Sequence, residues 1–305
     1  MRDLCFVAAL GPALLVGPVQ ARAQRAVPGR DLLDFAVGAL AEAPALAGEA
    51  AGGLYNPAAP LLAPGGRLRG SVTHVNAPGD RGLSGQLLGL EWRQRPQRVL
   101  SFTAARAAVQ DIPRTGEENP SADFGTVPYD TFVLSAGAAT RVHRHVGVGV
   151  ALRLRTGRVD TTQASAVGAD AGIVVDGLLG RRDLRLGASS FLWRPNARFD
   201  DRPLGLGAAD LRVLGETATR EVRVGGSYQA SRGGEAEGYG YVSARLRNVE
   251  GRAGVARAER GPYADTRTRL GFGLRYARLL VSVAREESAS GFGSMYQFTL
   301  SSILQ

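Results

Sequence analysis

The sequence predicts an all-β fold, a transmembrane antiparallel β-barrel of about fourteen strands with an N-terminal helical and hatch segment ahead of it. Three observations predict it. Between residues 67 and 304, segments of roughly ten residues carry an apolar side chain at every second position, the period of a strand and not of a helix. The connectors between them alternate in kind. Polar, Gly/Pro/Asp-rich stretches at 76–81, 110–128, 156–165, 194–206, 231–237, 259–265 and 287–290 trade places with tight turns near 93–96, 140–141, 180–181, 215–217, 248–251 and 276–277. A barrel with one rim in the periplasm and the other outside the cell has short turns on the first and longer loops on the second, whereas a soluble sandwich has no reason to keep that alternation. Finally, beyond the N-terminus no run approaches the roughly twenty apolar residues of a membrane helix. Such a barrel, with its lead-in, accounts for all 305 residues as one unit.

The first element, residues 1–23, reads as an export signal. Arg2 precedes an apolar stretch from Leu4 to Val19, and Ala21-Arg22-Ala23 offers small residues before a cleavage after Ala23. The only cysteine, Cys5, lies within it, so the mature chain would carry no thiol, which suits an oxidising compartment.

The second element, residues 24–66, does not alternate. Leu32, Leu33, Phe35, Ala36, Val37 and Leu40 have helical spacing, Asp31 can cap the start, and Pro44 limits the run. Gly52-Gly53-Leu54-Tyr55-Asn56-Pro57-Ala58-Ala59-Pro60 follows, an Asn-Pro turn flanked by glycines. Placed ahead of the first strand, this piece is well sited to fold into the barrel as a plug.

The third element, residues 67–305, is the barrel. Each segment sorts into an oily face and a polar one. Val146, Val148, Val150, Leu152 and Leu154 oppose His143, His145, Gly147, Gly149, Ala151, Arg153 and Arg155. Ala169, Ala171, Ile173 and Val175 oppose Asp170 and Asp176; Val222, Val224 and Tyr228 oppose Arg223, Ser227 and Gln229. Thr268, Leu270, Phe272, Leu274 and Tyr276 oppose Arg267, Arg269, Gly271, Gly273 and Arg275. A charge on the lipid face costs about 2–4 kcal/mol at the midplane, so His143, His145, Arg153, Asp170, Asp176, Arg223, Arg269 and Arg275 are expected to face the lumen, cross-linked there by ion pairs. Trp92, Tyr129, Trp193, Tyr228, Tyr276 and Tyr296 fall near segment ends, where aromatic belts meet water. Residues 209–214 make a short segment. Residues 252–259 alternate poorly, with Arg257 on the nominal lipid face, so either a bulge resets the phase there or the register is shifted.

Composition and motifs narrow the function. The net charge of +9 is carried by 37 basic residues that are all arginine, scattered over strands and loops without the aromatic interleaving of a phosphate-tracking groove, so no nucleic-acid partner is expected. No Gly-x-Ser-x-Gly elbow and no Gly-Lys-Ser/Thr loop is present, and no serine stands close to His143 or His145, so no catalytic residue is assigned and the chain is not expected to be an enzyme. The three histidines, His74, His143 and His145, read as polar wall residues, and the acidic loop with Asp111, Glu117, Glu118 and Asp123 as a solvated one without an EF-hand pattern; no metal site and no cofactor are expected.

A short helical lead-in, the element Tyr55-Asn56-Pro57-Ala58, and then a barrel of about fourteen strands resembles the FadL-type outer-membrane transporter superfamily, and especially its PorV/PorQ branch. The resemblance implies a hatch at Tyr55, Asn56, Pro57 and Ala58 inside the barrel, a bacterial outer-membrane location with lipid as its surroundings, and passage of a hydrophobic or amphipathic solute. The hatch would gate the lumen, and the loop 110–128 would collect the solute. The alternative it implies is a non-conducting barrel that docks secretion-system proteins. Two features depart from the family pattern: an inward set rich in Arg and Asp where a largely apolar interior is implied, and a C-terminus of Leu304-Gln305 in place of a terminal aromatic.

Overall fold

The computed structural model describes residues 27–29, 32–33, 42–63, 65–77, 82–110, 112–114, 125–178, 183–194, 203–217, 220–231, 235–260, 263–288 and 294–304. Fourteen strands follow one another: β1 (Leu68–Asn76), β2 (Leu83–Arg95), β3 (Arg98–Val109), β4 (Tyr129–His143), β5 (Val146–Val159), β6 (Thr162–Leu178), β7 (Leu184–Phe191), β8 (Leu204–Thr217), β9 (Arg220–Ser231), β10 (Glu235–Leu246), β11 (Val249–Arg260), β12 (Tyr263–Tyr276), β13 (Leu279–Ser288) and β14 (Ser294–Ile303). Each pairs antiparallel with its sequence neighbours, and β1 closes on β14 in a single barrel. At that seam Ser71 faces Ser301 and Thr73 faces Thr299, whose hydroxyls share a hydrogen bond of 3.0 Å. Closure removes every free sheet edge, which hydrocarbon would leave unsatisfied.

Side chains follow the pleat. On β5, Val150 and Leu152 are 58% and 67% exposed, while Ala151, Arg153 and Arg155, at the alternate positions, are buried. Leu270, Phe272 and Leu274 on β12 are exposed and Arg267 and Arg269 buried. This is the inside-out arrangement of a barrel whose outer face meets an apolar solvent.

The connectors depart from the expected contrast in places. The segment 156–165 is not a loop: β5 and β6 run on until only Asp160 and Thr161 join them, with Asp160 in the left-handed region at φ 51°. The polar residues there are rim-facing strand residues, whose composition imitates a loop. Connections 232–234 and 261–262 on that rim are also short, so its long connections are 77–82, 110–128, 192–203 and 289–293. On the other rim the turn expected at 140–141 lies at Arg144 and His145, because β4 continues to His143. The short segment 209–214 is the middle of β8.

β11 keeps one unbroken register with both neighbours, so no bulge resets it. Arg257 does lie on the outer face, near the long-connector rim, beside Glu259 at 3.4 Å with both side chains mostly exposed. The register irregularities at 93–95, 141–143, 175–178 and 212–217 fall at the opposite rim, where bulges end pairing.

The described part of the lead-in lies largely buried inside the barrel. It contains 3-10 turns at Pro44–Leu46, Gly52–Leu54 and Ala59–Leu62. The helix expected over 31–40 lies outside the described residues except for Leu32 and Leu33, both buried. Among the described residues no helix is long and apolar enough to cross a membrane.

Candidate functional site

Residues 50–61 are all buried, although most of them are Ala, Gly or Pro. Small side chains let this backbone lie against the barrel wall, and the wall is cut back to receive it. A Cβ on Gly149 of β5 would stand 2.4 Å from the carbonyl carbon of Pro57. One on Gly89 of β2 would stand 2.4 Å from the Ala51 nitrogen, and one on Gly187 of β7 2.4 Å from the Ala45 oxygen. Glycine is required at these positions because backbone approaches backbone.

Short 3-10 turns leave carbonyl oxygens without partners, and inside a barrel water cannot supply them all. Arginines of the wall do. Arg69 of β1 donates to Gly48 O at 3.0 Å, Arg93 of β2 to Pro60 O and Ala63 O at 3.2 Å each, and Arg141 of β4 to Leu61 O at 3.2 Å. From β5, Arg153 donates to Leu54 O and Arg155 to Val27 O. Three of these guanidiniums are themselves held by an acid of another strand. Glu91 of β2 takes Arg69 at 2.9 Å; Asp176 of β6 takes Arg141 through two bonds of 2.7 Å; Asp170 of β6 takes Arg153 in a pair closed to solvent. The unit is acid, arginine, carbonyl, repeated at Gly48, Leu54 and Leu61. Charge-assisted bonds of this kind contribute on the order of 1.5–3 kcal/mol each, and together they fix the segment against the wall.

Asn56, buried, completes the attachment. Its Nδ2 donates to Ala45 O at 2.7 Å and to Ile173 O of β6 at 3.3 Å, and its Oδ1 accepts from the Ala58 N–H at 2.9 Å. Ser189 of β7 donates to Tyr55 O at 2.8 Å, and the Tyr55 and Phe191 rings lie 5.4 Å apart. Asp170 also accepts from the Leu192 and Trp193 N–H groups at 3.2 and 2.8 Å, which ties the end of short β7 back to β6.

The carbonyl clamps fall on β1, β2, β4 and β5, with Asp170 and Asp176 of β6 behind them. Towards β11–β14 and β1 a cavity of about 70 Å³ separates the segment from the wall, bounded by Ala51, Tyr55, Thr73, Gly271, Ser282 and Thr299 among others. A second cavity, about 330 Å³, opens towards the short-turn rim among Arg69, Asp183, Arg223, Arg245, Arg275 and further charged residues. Glu42, Glu49, Glu250 and Arg252 line both, so this charged group stands where the two spaces meet. Arg252 of β11 bridges Glu250 and Glu42 of the segment, the latter at 3.4 Å. Beside it burial pushes the Glu49 carboxyl up to about 7; Glu42 adds to that shift and Arg252 opposes it.

The sequence-derived residues divide as follows. Tyr55, Asn56, Pro57 and Ala58 sit together on the segment. Arg153 and Asp170 form the clamp on Leu54, and Asp176 the clamp on Leu61. Arg223 is buried among Asp183, Asp210 and Glu221; Arg269 pairs with Glu237 and Glu286 at the other end of the barrel; Arg275 lines the larger cavity. His143 and His145 do not share a strand. His143 ends β4, exposed, and His145 lies in the turn with Nδ1 2.8 Å from Asp176 O. Among the described residues no group of three His, Cys, Asp or Glu could hold a metal ion. Glu42, Glu49, Glu91 and the arginines 69, 93 and 141 were not singled out by the sequence. Parity places Arg69 and Glu91 inside, but nothing in a single chain tells which inward arginine meets a carbonyl and which a carboxylate.

No family model matches this chain, and no curated protein does. Solved structures do. The toluene transporter TodX of Pseudomonas putida is similar over 85% of this chain and 96% of its own, with a TM-score of 0.56 and 10% identity. This chain shares the fold of an outer-membrane barrel. A FadL homologue of Pseudomonas aeruginosa aligns over 87% of this chain and 99% of its own at a TM-score of 0.47 and 11% identity, and the KdgM porin over 78% and 99% at 0.39 and 9%.

Proposed function

We propose that the chain sits in the bacterial outer membrane after removal of residues 1–23 and passes a hydrophobic or amphipathic solute through the crescent between the clamped segment and the β11–β14 wall. One observation carries this reading: the carbonyl clamps on the interior segment fall on β1 to β6, one cavity separates the segment from the β11–β14 wall, and a second, at the short-turn rim and lined also by the clamp residues Arg69 and Asp176, meets the first at Glu42, Glu49, Glu250 and Arg252. The likeness to TodX, a toluene transporter, supports it. Under this reading the segment around Tyr55–Ala58 forms one wall of the path instead of a door that swings, and the Glu42–Arg252 pair closes the narrow point. Gly271, Ser282 and Thr299 give the opposite wall small, weakly polar side chains that an amphipathic solute can pass.

The test is uptake by proteoliposomes of graded small aromatic solutes, with wild type and Ser282→Trp, which fills the crescent. Entry above that of empty liposomes, reduced by the tryptophan, is expected; equal entry in all three preparations overturns the reading. The second reading, a non-conducting adaptor of an export apparatus in the manner of the PorV/PorQ branch, is favoured by the number of clamps, which a barrel needing only a static core would equally use. Crosslinking that captures one stoichiometric secretion protein, with no uptake, would select it.

A further inference from the structure

Six of the seven arginines that line the larger cavity are paired. Arg185 holds Asp210; Arg212 and Arg223 share Asp183 and Glu221; Arg245 and Arg252 share Glu250; Arg69 holds Glu91. Arg275 of β12, partly buried, has no hydrogen-bond or ion-pair partner for its guanidinium among the described residues. Glu250 is the carboxylate whose field reaches it, and both other arginines already occupy that carboxylate, while Arg245 and Arg69 act on Arg275 with the same sign of charge. A guanidinium drawn partly out of water, short of counter-charge and open to a cavity, is a site for an anion. Apolar surface lies beside it: Leu280 is its cross-strand partner on β13, and Leu46 and Leu62 of the interior segment line the same space. The cavity volume of about 330 Å³ falls within the usual range of small-molecule sites, about 300–1,000 Å³.

We propose that Arg275 anchors a binding site for a small amphipathic carboxylate, whose two oxygens take the parallel N–H groups of its guanidinium and whose apolar body rests on Leu280, Leu46 and Leu62. Seven arginines and seven carboxylates line the cavity, so a monoanion held by the one guanidinium without a partner adds the smaller excess of negative charge, and a phosphate dianion the larger. The assignment deepens the passage reading and rests on it for its role, a halting point at the short-turn end of the path.

The experiment is phenylglyoxal labelling of the folded full chain in detergent, read by mass spectrometry at each arginine, with benzoate as the probe. Arg275 is expected to label several-fold faster than Arg212 and Arg223, and benzoate to slow it several-fold while benzyl alcohol leaves it unchanged. Equilibrium dialysis should show benzoate binding that is lost in Arg275→Gln, retained in the turn variant Arg278→Gln, and weakened in Arg275→Lys, which keeps the charge without the fork. Labelling of Arg275 no faster than its paired neighbours, or no protection by benzoate, overturns the site; protection by inorganic phosphate equal to that by benzoate overturns the carboxylate assignment. None of these readings needs flux, so liposomes that admit no solute would sink the passage reading and leave this one standing.

Discussion

Arg69 lies 2.9 Å from Glu91 and spends its other terminal nitrogen on the Gly48 carbonyl at 3.0 Å, so one guanidinium joins two wall strands to the segment inside them. The same construction recurs at Arg141 with Asp176 and at Arg153 with Asp170. The acid is what makes it work. It fixes the guanidinium plane and supplies the counter-charge that an arginine bound only to carbonyls would lack.

Removing the acid should therefore hurt more than removing the pair. Asp170→Ala leaves Arg153 enclosed and uncompensated, and is expected to destabilise the barrel by about 3–5 kcal/mol. Asp170→Leu with Arg153→Met exchanges the ions for apolar volume and should recover most of that loss. The temperature at which the compact form converts to the unfolded one on electrophoresis measures both. A double variant as unstable as the single would show that packing, and not charge, holds this corner.

The glycines predict a contrast of position. Gly149→Ala puts a Cβ against Pro57 and Ala58 backbone, which cannot swing aside, whereas on Gly207→Ala the Cβ meets nothing closer than Tyr228 O at 3.9 Å. The first should cost about 1–3 kcal/mol, as overpacking does, and raise amide exchange over 52–58; the second should leave both unchanged. Equal behaviour of the two would mean that the segment does not lie against β5.

How much of this was legible in the sequence follows from the physics of each level. Strand number and facing were, because period-two alternation is written into residues such as Val150 to Arg155 and is enforced by the cost of a charge in hydrocarbon. Strand ends were not: Thr156 to Ser165 is polar because it nears the rim, and polarity reads alike whether the backbone is paired or looped. The attachment of the interior segment was legible only as small residues around Asn56. Its arginine partners come from β1, β2, β4 and β5, and pairing across the barrel leaves no local trace.

Arg257 tests the solvent outside. It lies on the outer face yet near the long-connector rim, where a long side chain reaches water, while Leu152 of β5 projects from the middle of its strand, 67% exposed. Leu152→Arg is expected to lower stability in lipid by about 2–4 kcal/mol, and Arg257→Leu to change it by about 0–1 kcal/mol. Guanidine unfolding in vesicles gives both values. If the two substitutions prove equally mild, the outer face does not meet hydrocarbon.

Glu49 makes attachment of the segment depend on pH. Released into water its carboxyl titrates near 4.5, and in place it titrates near 7. The attached form therefore holds the proton more tightly, and attachment is strongest below about pH 4.5. It weakens as pH rises through the window up to 7, by at most about 3 kcal/mol, and is level above it. The charges facing Glu49 are Glu42 on its own segment, Arg252 and Glu250 on β11, and Arg69 on β1; Arg252 and Arg69 favour the ionised form and reduce the effect without reversing it. Amide exchange over residues 48–56, corrected for the intrinsic rate, should be faster at pH 8 than at pH 5 in the wild type and alike at both in Glu49→Gln. A dependence that survives this substitution belongs to another group, and protection unchanged with pH in the wild type means that the carboxyl meets water freely where it stands.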